Sequence, residues 1–201
     1  MLILLDAGHG GIIDGVYQTS GKRSPVWDDG SQLFEGEFNR WIANALAERL
    51  SVRGIPYVLI SPEQRDVTLK TRVNRANSYA DRECIFLSIH SNAGGGTGFE
   101  VFTTVGDTQS DPVAECLAKA FKAEFPEHRL RADMSDGDRD KEKNYYVLRK
   151  TAMPAVLTES FFMDTERECR DILLSTEGRT KIVNFHEAGI VNYINWKKRN
   201  P

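Results

Sequence analysis

The stretch Cys84-Ile-Phe-Leu-Ser-Ile-His90 decides how the rest of the sequence is read. It is a short, nearly continuous apolar run, which reads as a buried strand, and it closes on a histidine. Upstream, Leu69–Tyr79 reads as a helix and Ile55–Ile60 as a β-rich strand. Before them, Phe38, Trp41, Ile42, Ala45, Leu46 and Leu50 recur at helical spacing, with Gly54 just past the end. Leu2–Leu5 is a first apolar strand that runs into the tight loop Asp6-Ala-Gly-His-Gly-Gly11. Downstream, Gly94-Gly-Gly-Thr-Gly98 leads to a strand at Phe99–Thr104. Asp111–Phe125 reads as a helix with Asp111 as N-cap and Pro112 at the first helical position. Residues 126–143 are polar and loop-like; Tyr145–Leu148 and Ala155–Thr158 read as strands. Arg167–Leu174 and Thr176–Trp196 read as helices. Strands alternating with helices imply right-handed crossovers. The expected fold class is α/β: a single domain with a mostly parallel, twisted sheet and helices on both faces. No repeat, linker or composition break divides residues 1–201.

Composition excludes several classes. A chain of 201 residues buries roughly 70% of the surface its unfolded form exposes, so it needs no disulfide or metal merely to fold. There are 26 Lys+Arg against 29 Asp+Glu, a net charge of −3, which is a poor balance for a nucleic-acid binder. Cys84, Cys116 and Cys169 lie far apart with no CxxC pair, so they are expected as buried free thiols. The opening Met1-Leu-Ile-Leu-Leu run is too short for a signal peptide or a membrane span, and no other apolar run approaches the span length. Synthesis in the cytoplasm without a signal peptide is therefore expected, with any action elsewhere depending on release or another export route.

Open α/β sheets build their sites at the C-terminal ends of strands. His9 follows the first strand, His90 closes the Cys84–His90 strand, and Glu159 closes Ala155–Thr158. Glu35 begins the first helix after residues 12–34, which read as a long ordered loop. Two imidazoles and a carboxylate can hold a catalytic zinc with one position open, while a further carboxylate moves protons. Each residue alone has a plainer role: a histidine after an apolar run is often structural, Glu159 could be ion-paired, and Glu35 could be a first-turn acid. There is no HExxH and no GxSxG, and Gly94–Gly96 precedes a strand, a poor phosphate cradle. Spacing alone thus suggests a metal hydrolase without establishing one.

The full strings are more specific. Leu4-Leu-Asp-Ala-Gly-His-Gly-Gly11, Leu33-Phe-Glu-Gly-Glu-Phe-Asn39, Leu87-Ser-Ile-His-Ser-Asn-Ala93, Val147-Leu-Arg149 and Pro154-Ala-Val-Leu-Thr-Glu159 occur in this order. Together they resemble the zinc-dependent N-acetylmuramoyl-L-alanine amidases of the Amidase_3 type, across nearly the whole chain. The resemblance implies Zn2+ ligands His9, Glu35 and His90, with Glu159 as the catalytic carboxylate. It places Asn92 and Arg149 near the site. Glu37 stands where that family often has Asp, Gly36 where it often has Lys, and Thr158 where Val is usual, an isosteric change expected to matter little.

The implied reaction cleaves the amide between N-acetylmuramic acid and L-alanine of the stem peptide. Zinc lowers the pKa of bound water to about 7 in favourable sites, and Glu159 would accept that proton and return it to the departing amine. Lys22, Arg23 and Trp27, in the long loop between two of the ligands, are expected substrate contacts. Residues 126–144 are expected to leave the site uncovered, and His128 and His186 to play surface or helix-face roles. The expected partner is peptidoglycan, with no nucleic acid and no membrane span, and the protein is expected to be a monomer of one catalytic amidase domain without a separate wall-binding domain. A phage or prophage endolysin and a bacterial autolysin both fit. The alternatives are a zinc hydrolase acting on another amide and a catalytically inactive peptidoglycan-binding module.

Overall fold

A computed structural model describes residues 1–135 and 137–200; Asp136, in the polar loop, and Pro201 lie outside the described residues. The chain begins with β1 (Leu2–Ala7), all six residues of which are buried. A two-strand hairpin follows, β2 (Ile12–Ile13) and β3 (Val16–Tyr17). Next come α1 (Glu35–Val52), β4 (Tyr57–Leu59), α2 (Leu69–Asn77) and β5 (Cys84–Asn92). Then β6 (Phe99–Thr103), α3 (Asp111–Glu124), β7 (Lys141–Glu142), α4 (Tyr146–Lys150) and β8 (Ala155–Phe162). Short α5 (Glu166–Glu168) runs into a π-helical turn at Cys169–Leu173, and α6 (Thr176–Arg199) completes the elements.

The main sheet has the order β4-β1-β5-β8-β6-β7. β4, β1, β5 and β8 are mutually parallel, while β6 runs antiparallel to β8. Side chains alternate across this sheet. Ile3, Leu5, Ile85, Leu87 and Ile89 point into one core with α1, α3 and α6. Leu2, Leu4, Cys84 and Phe86 point into the other, with Val73 and Ala76 of α2 and Val147 and Leu148 of α4. The expected mostly parallel sheet with helices on both faces is what forms.

Several local expectations change. Where Tyr145–Leu148 is expected as a strand, Tyr146–Lys150 forms a helix, with Tyr145 extended at its N-cap. Val147 and Leu148 are both buried although adjacent, and Thr151 Oγ1 donates to the carbonyls of Val147 and Leu148 to close the helix. The long loop contains a hairpin whose turn, Asp14-Gly15, has φ of 50° and 78°, the left-handed pair that a two-residue turn requires. Ser110, not Asp111, holds the N-cap position of α3, and Pro112 follows one place inside the helix start. The Arg167–Leu174 helix is instead the short α5 and its π-helical turn. Cys84 and Cys169 are buried free thiols, but Cys116 is only half-buried. His186 lies on the fully buried face of α6, and His128 packs its ring against Phe125 and Phe161.

The ends of β5 and β8 also differ. His90 and Glu159 do not close their strands; both strands continue. His90 pairs with Glu159, and Asn92 then pairs with Phe162, so β8 fits one extra residue into the ladder. Phe161 takes up that bulge with φ of 62°, a conformation rare for a bulky side chain. The bulge lies immediately after the point where His90 and Glu159 stand side by side.

Candidate metal centre

Three elements supply the donor set. His9 sits in the loop after β1 with φ of 66°. Its carbonyl accepts hydrogen bonds from Arg40 Nη2 and Arg72 Nη2, both at 3.2 Å. Glycine on either side makes room: a Cβ on Gly8 would stand 2.1 Å from His90 Cε1, and one on Gly10 2.7 Å from Asp66 N. Glu35 is the first residue of α1, where the helix dipole favours an acid. The glycine after it is also required. A Cβ on Gly36 would meet Gly10 O at 1.8 Å, so this backbone has no room for the lysine that the resemblance leads one to expect there. Asn39, one turn on, donates to Gly8 O at 3.1 Å and ties the helix to the loop. His90 comes from β5.

These groups converge. Glu35 Oε1 lies 3.2 Å from His9 Nε2 and 3.0 Å from His90 Nδ1. One donor atom from each residue lies within 4.8 Å of the others. Glu35 is 1% exposed, and its second oxygen has no hydrogen-bond partner among the described residues. Burial opposes its ionisation, but the hydrogen bonds and charge of His9 and His90 outweigh that and hold it well below the usual carboxylate range.

A polar chain behind His90 fixes its tautomer. Ser88 Oγ donates to Asp6 Oδ2 at 2.8 Å, because a carboxylate only accepts. Ser88 Oγ must then accept from His90 Nε2, 3.2 Å away. In a neutral ring that leaves the lone pair on Nδ1, facing Glu35, so a cation can take the place of the proton that otherwise bridges the two at 3.0 Å. Arg72 Nη1 holds Asp6 Oδ1 at 2.6 Å, and Ser61 Oγ donates to the same oxygen at 2.8 Å. Two imidazoles, one carboxylate and an orphaned buried oxygen are the donor chemistry of a zinc site with an open position. The residues present fit that ion.

Glu159 lies beside His90 across the β5–β8 register. Burial, reinforced by the negative charge of Glu35, pushes its carboxyl well above the usual range, and Lys22 partly offsets this. Its Oε2 has no partner among the described residues. A cavity of about 340 Å³ opens over these groups, lined by His9, Lys22, His90, Tyr145, Tyr146 and Glu159 among others. None of the described residues in 126–144 lines it or joins the donor set. A larger cleft of about 570 Å³, beside His128 and Lys181, contains none of the four central residues.

The other anticipated residues are placed unevenly. Lys22 lines the cavity; Arg23, Trp27, Asn92 and Arg149 are not among its lining residues. Trp27 packs back onto the protein, its indole donating to Cys169 Sγ at 3.4 Å. Asn92 donates to Glu100 Oε2 at 3.0 Å and accepts from Ala93 N at 2.8 Å. Arg149 is exposed, its guanidinium 5.5 Å from the centre of the Tyr146 ring. Glu37 accepts from Ile12 N at 2.8 Å and so holds the hairpin to α1.

The sequence profile described as N-acetylmuramoyl-L-alanine amidase, Amidase_3, matches residues 3–192. The chain belongs to this family. The amidase is 32% identical over 201 residues to the sporulation-specific N-acetylmuramoyl-L-alanine amidase of Bacillus subtilis, covering 98% of this chain and 69% of that one. It is 27% identical over 204 residues to an endolysin of Bacillus phage SPP1, covering 99% and 68%. Among solved structures, it is similar to the amidase AmiC2 of Nostoc punctiforme, with a TM-score of 0.74, 26% identity and 97% of each chain covered.

Sequence reasoning did not single out the groups that support this amidase's centre. Asp6, Ser88 and Arg72 form one buried chain although they are separated by up to 82 positions. One signal was available: Asp6 and Ser88 are polar residues inside otherwise apolar strands, and buried polar groups require partners.

Proposed function

We propose that this amidase holds Zn2+ with His9, Glu35 and His90 and hydrolyses the bond joining N-acetylmuramic acid to L-alanine of the stem peptide. The observation that carries the reading is the convergence of His9, Glu35 and His90, one donor atom from each within 4.8 Å of the others, with Glu159 on the next strand. When bound, the ion supplies Lewis acidity. Glu159 does the proton work. Burial and the charge of Glu35 raise its pKa and so make it a stronger base toward the attacking water. It then delivers that proton to the leaving nitrogen of L-alanine. Lys22, on the cavity wall, is placed to meet an anionic group of the substrate. The uncovered cavity supports activity without prior release of a plug. The kinship to a phage endolysin and a sporulation amidase supports a role in wall lysis, as an endolysin or an autolysin.

The test is mass spectrometry of peptidoglycan digested by the zinc-loaded protein. Free stem peptides with a new L-alanine amine are expected. Glu159→Gln should keep its zinc and lose activity by roughly 10²–10⁴-fold. Zinc binding without released stem peptides would move the reading to another amide. Neither zinc nor cleavage would leave a binding module.

A further inference from the structure

A second cluster lies apart from the metal centre. Asp111, Asp138 and Asp140 each bring a carboxylate oxygen within 4.8 Å of the others. Acidic clusters on surfaces are common, so burial decides whether this one matters. Asp140 is 2% exposed, and its Oδ1 has no hydrogen-bond partner among the described residues. Its other oxygen accepts from Thr103 Oγ1. Asp138 Oδ1 is also buried without a partner. Asp111 is held in place by Thr108, whose N and Oγ1 donate to it at 2.7 and 2.9 Å.

The adjacent cations are turned elsewhere. Arg139 pairs with Glu115, and Lys141 pairs with Glu100 at 2.8 Å. Among the described residues, no Lys or Arg forms an ion pair with any of the three aspartates. Buried carboxylates in contact cannot all stay charged without compensation. Burial, then the close carboxyl contact with Asp138 and the charges of Asp138 and Asp111, pushes Asp140 up to about 7 despite the Thr103 hydrogen bond. A proton there is held weakly enough at neutral pH for a metal ion to displace it.

We propose that Asp111, Asp138 and Asp140 form a second metal site, for a hard divalent cation of the Ca2+ class. The donors are all oxygen, without imidazole or thiolate, which disfavours zinc and favours calcium or magnesium. Calcium accepts six to eight oxygens in irregular geometry, whereas magnesium demands a near-ideal octahedron. Three carboxylates on a helix start and a loop suit the more tolerant ion. The site lies toward the far end of the sheet from the first. β6 runs antiparallel to β8, so Glu100 pairs with Glu159 while Phe102 pairs with Leu157, and Thr103 lies one residue further from the catalytic carboxylate. The ion would join the start of α3, the loop before β7 and the end of β6. It fastens the fold and takes no part in the reaction.

The experiment titrates zinc-loaded protein with CaCl2, by calorimetry and by thermal unfolding. Calcium at a hundredfold excess over its Kd should raise Tm by about 5–10 °C. Asp140→Asn and Asp138→Asn should each abolish that rise and leave zinc content unchanged. Asp14→Asn, at an exposed turn, should keep it. If Asp140→Asn fails to fold, the half-buried Asp138 carries the test. No heat and no Tm shift up to about 10 mM calcium, beyond the weakest extracellular calcium modules, would overturn the proposal. So would a shift that survives both asparagine substitutions.

Discussion

Thr158 and His186 form a buried pair that bears on stability and on its response to pH. His186 Nδ1 lies 2.8 Å from Ile182 O and must donate to it, so Nε2 accepts from Thr158 Oγ1 at 2.9 Å. Valine at 158 would keep the shape and leave that nitrogen without a partner in a fully buried position. Thr158→Val should therefore cost about 1–3 kcal/mol in urea unfolding at pH 7, against the expectation of an inert isosteric change. Burial lowers His186 from 6.5 to about 4. The unfolded chain thus binds a proton that the folded chain refuses. This contribution is complete above pH 6.5 and is lost as pH falls toward 4, on the order of 3 kcal/mol in all. Unfolding free energies at pH 7 and pH 5 should fall more for the wild type than for His186→Gln. Equal slopes would show that His186 does not carry the effect.

At the scale of elements, the metal centre depends on strands β1 and β5 being in register. That register sets Asp6 opposite Ser88, and the chain Arg72–Asp6–Ser88–His90 then links α2 to the donor set. Ser88→Ala removes the acceptor for His90 Nε2–H and frees the ring to turn. Zinc affinity should fall by about 10–100-fold, measured by competition with a chelator, and Tm of the metal-free protein should fall as well, because Asp6 Oδ2 loses its partner. Affinity equal to wild type would show that the ring is held by packing against Gly8 instead. The three residues that converge, His9, Glu35 and His90, are legible because each lies in a string with its own local pattern. Their support is not, because Arg72 reads as one more polar residue of a surface helix until the fold buries it. α4 reads as a strand for a related reason: five residues give too little periodicity, and packing against α2 and β8 decides their shape. The β8 bulge left no signal either, since Ser160-Phe-Phe162 continues an ordinary strand pattern. The Asp14-Gly15 turn was legible in principle, as Asp-Gly between apolar pairs is a strong hairpin signal.

For the whole molecule, the proposed metal centre would also act as a clamp. Its donors come from the β1 loop, the start of α1 and the middle of β5, which meet only when the sheet and the first crossover are assembled. An unfolded chain spreads the same three residues over 82 positions and offers no preformed site. Binding free energy at such a site is therefore folding free energy. Zinc at a hundredfold excess over its Kd should stabilise by about 2.7 kcal/mol. For a chain of this length that is a Tm rise of about 5–10 °C. Removing zinc with a chelator should lower Tm by that amount, and adding zinc back should restore it. His90→Ala should start near the metal-free Tm and respond to neither treatment, whereas Glu159→Gln should respond as fully as the wild type. The last comparison tests the proposed division of roles between the two carboxylates, Glu35 to hold the ion and Glu159 to move protons beside it. A Glu159→Gln variant that lost the zinc-dependent rise would make Glu159 a ligand and undo that division.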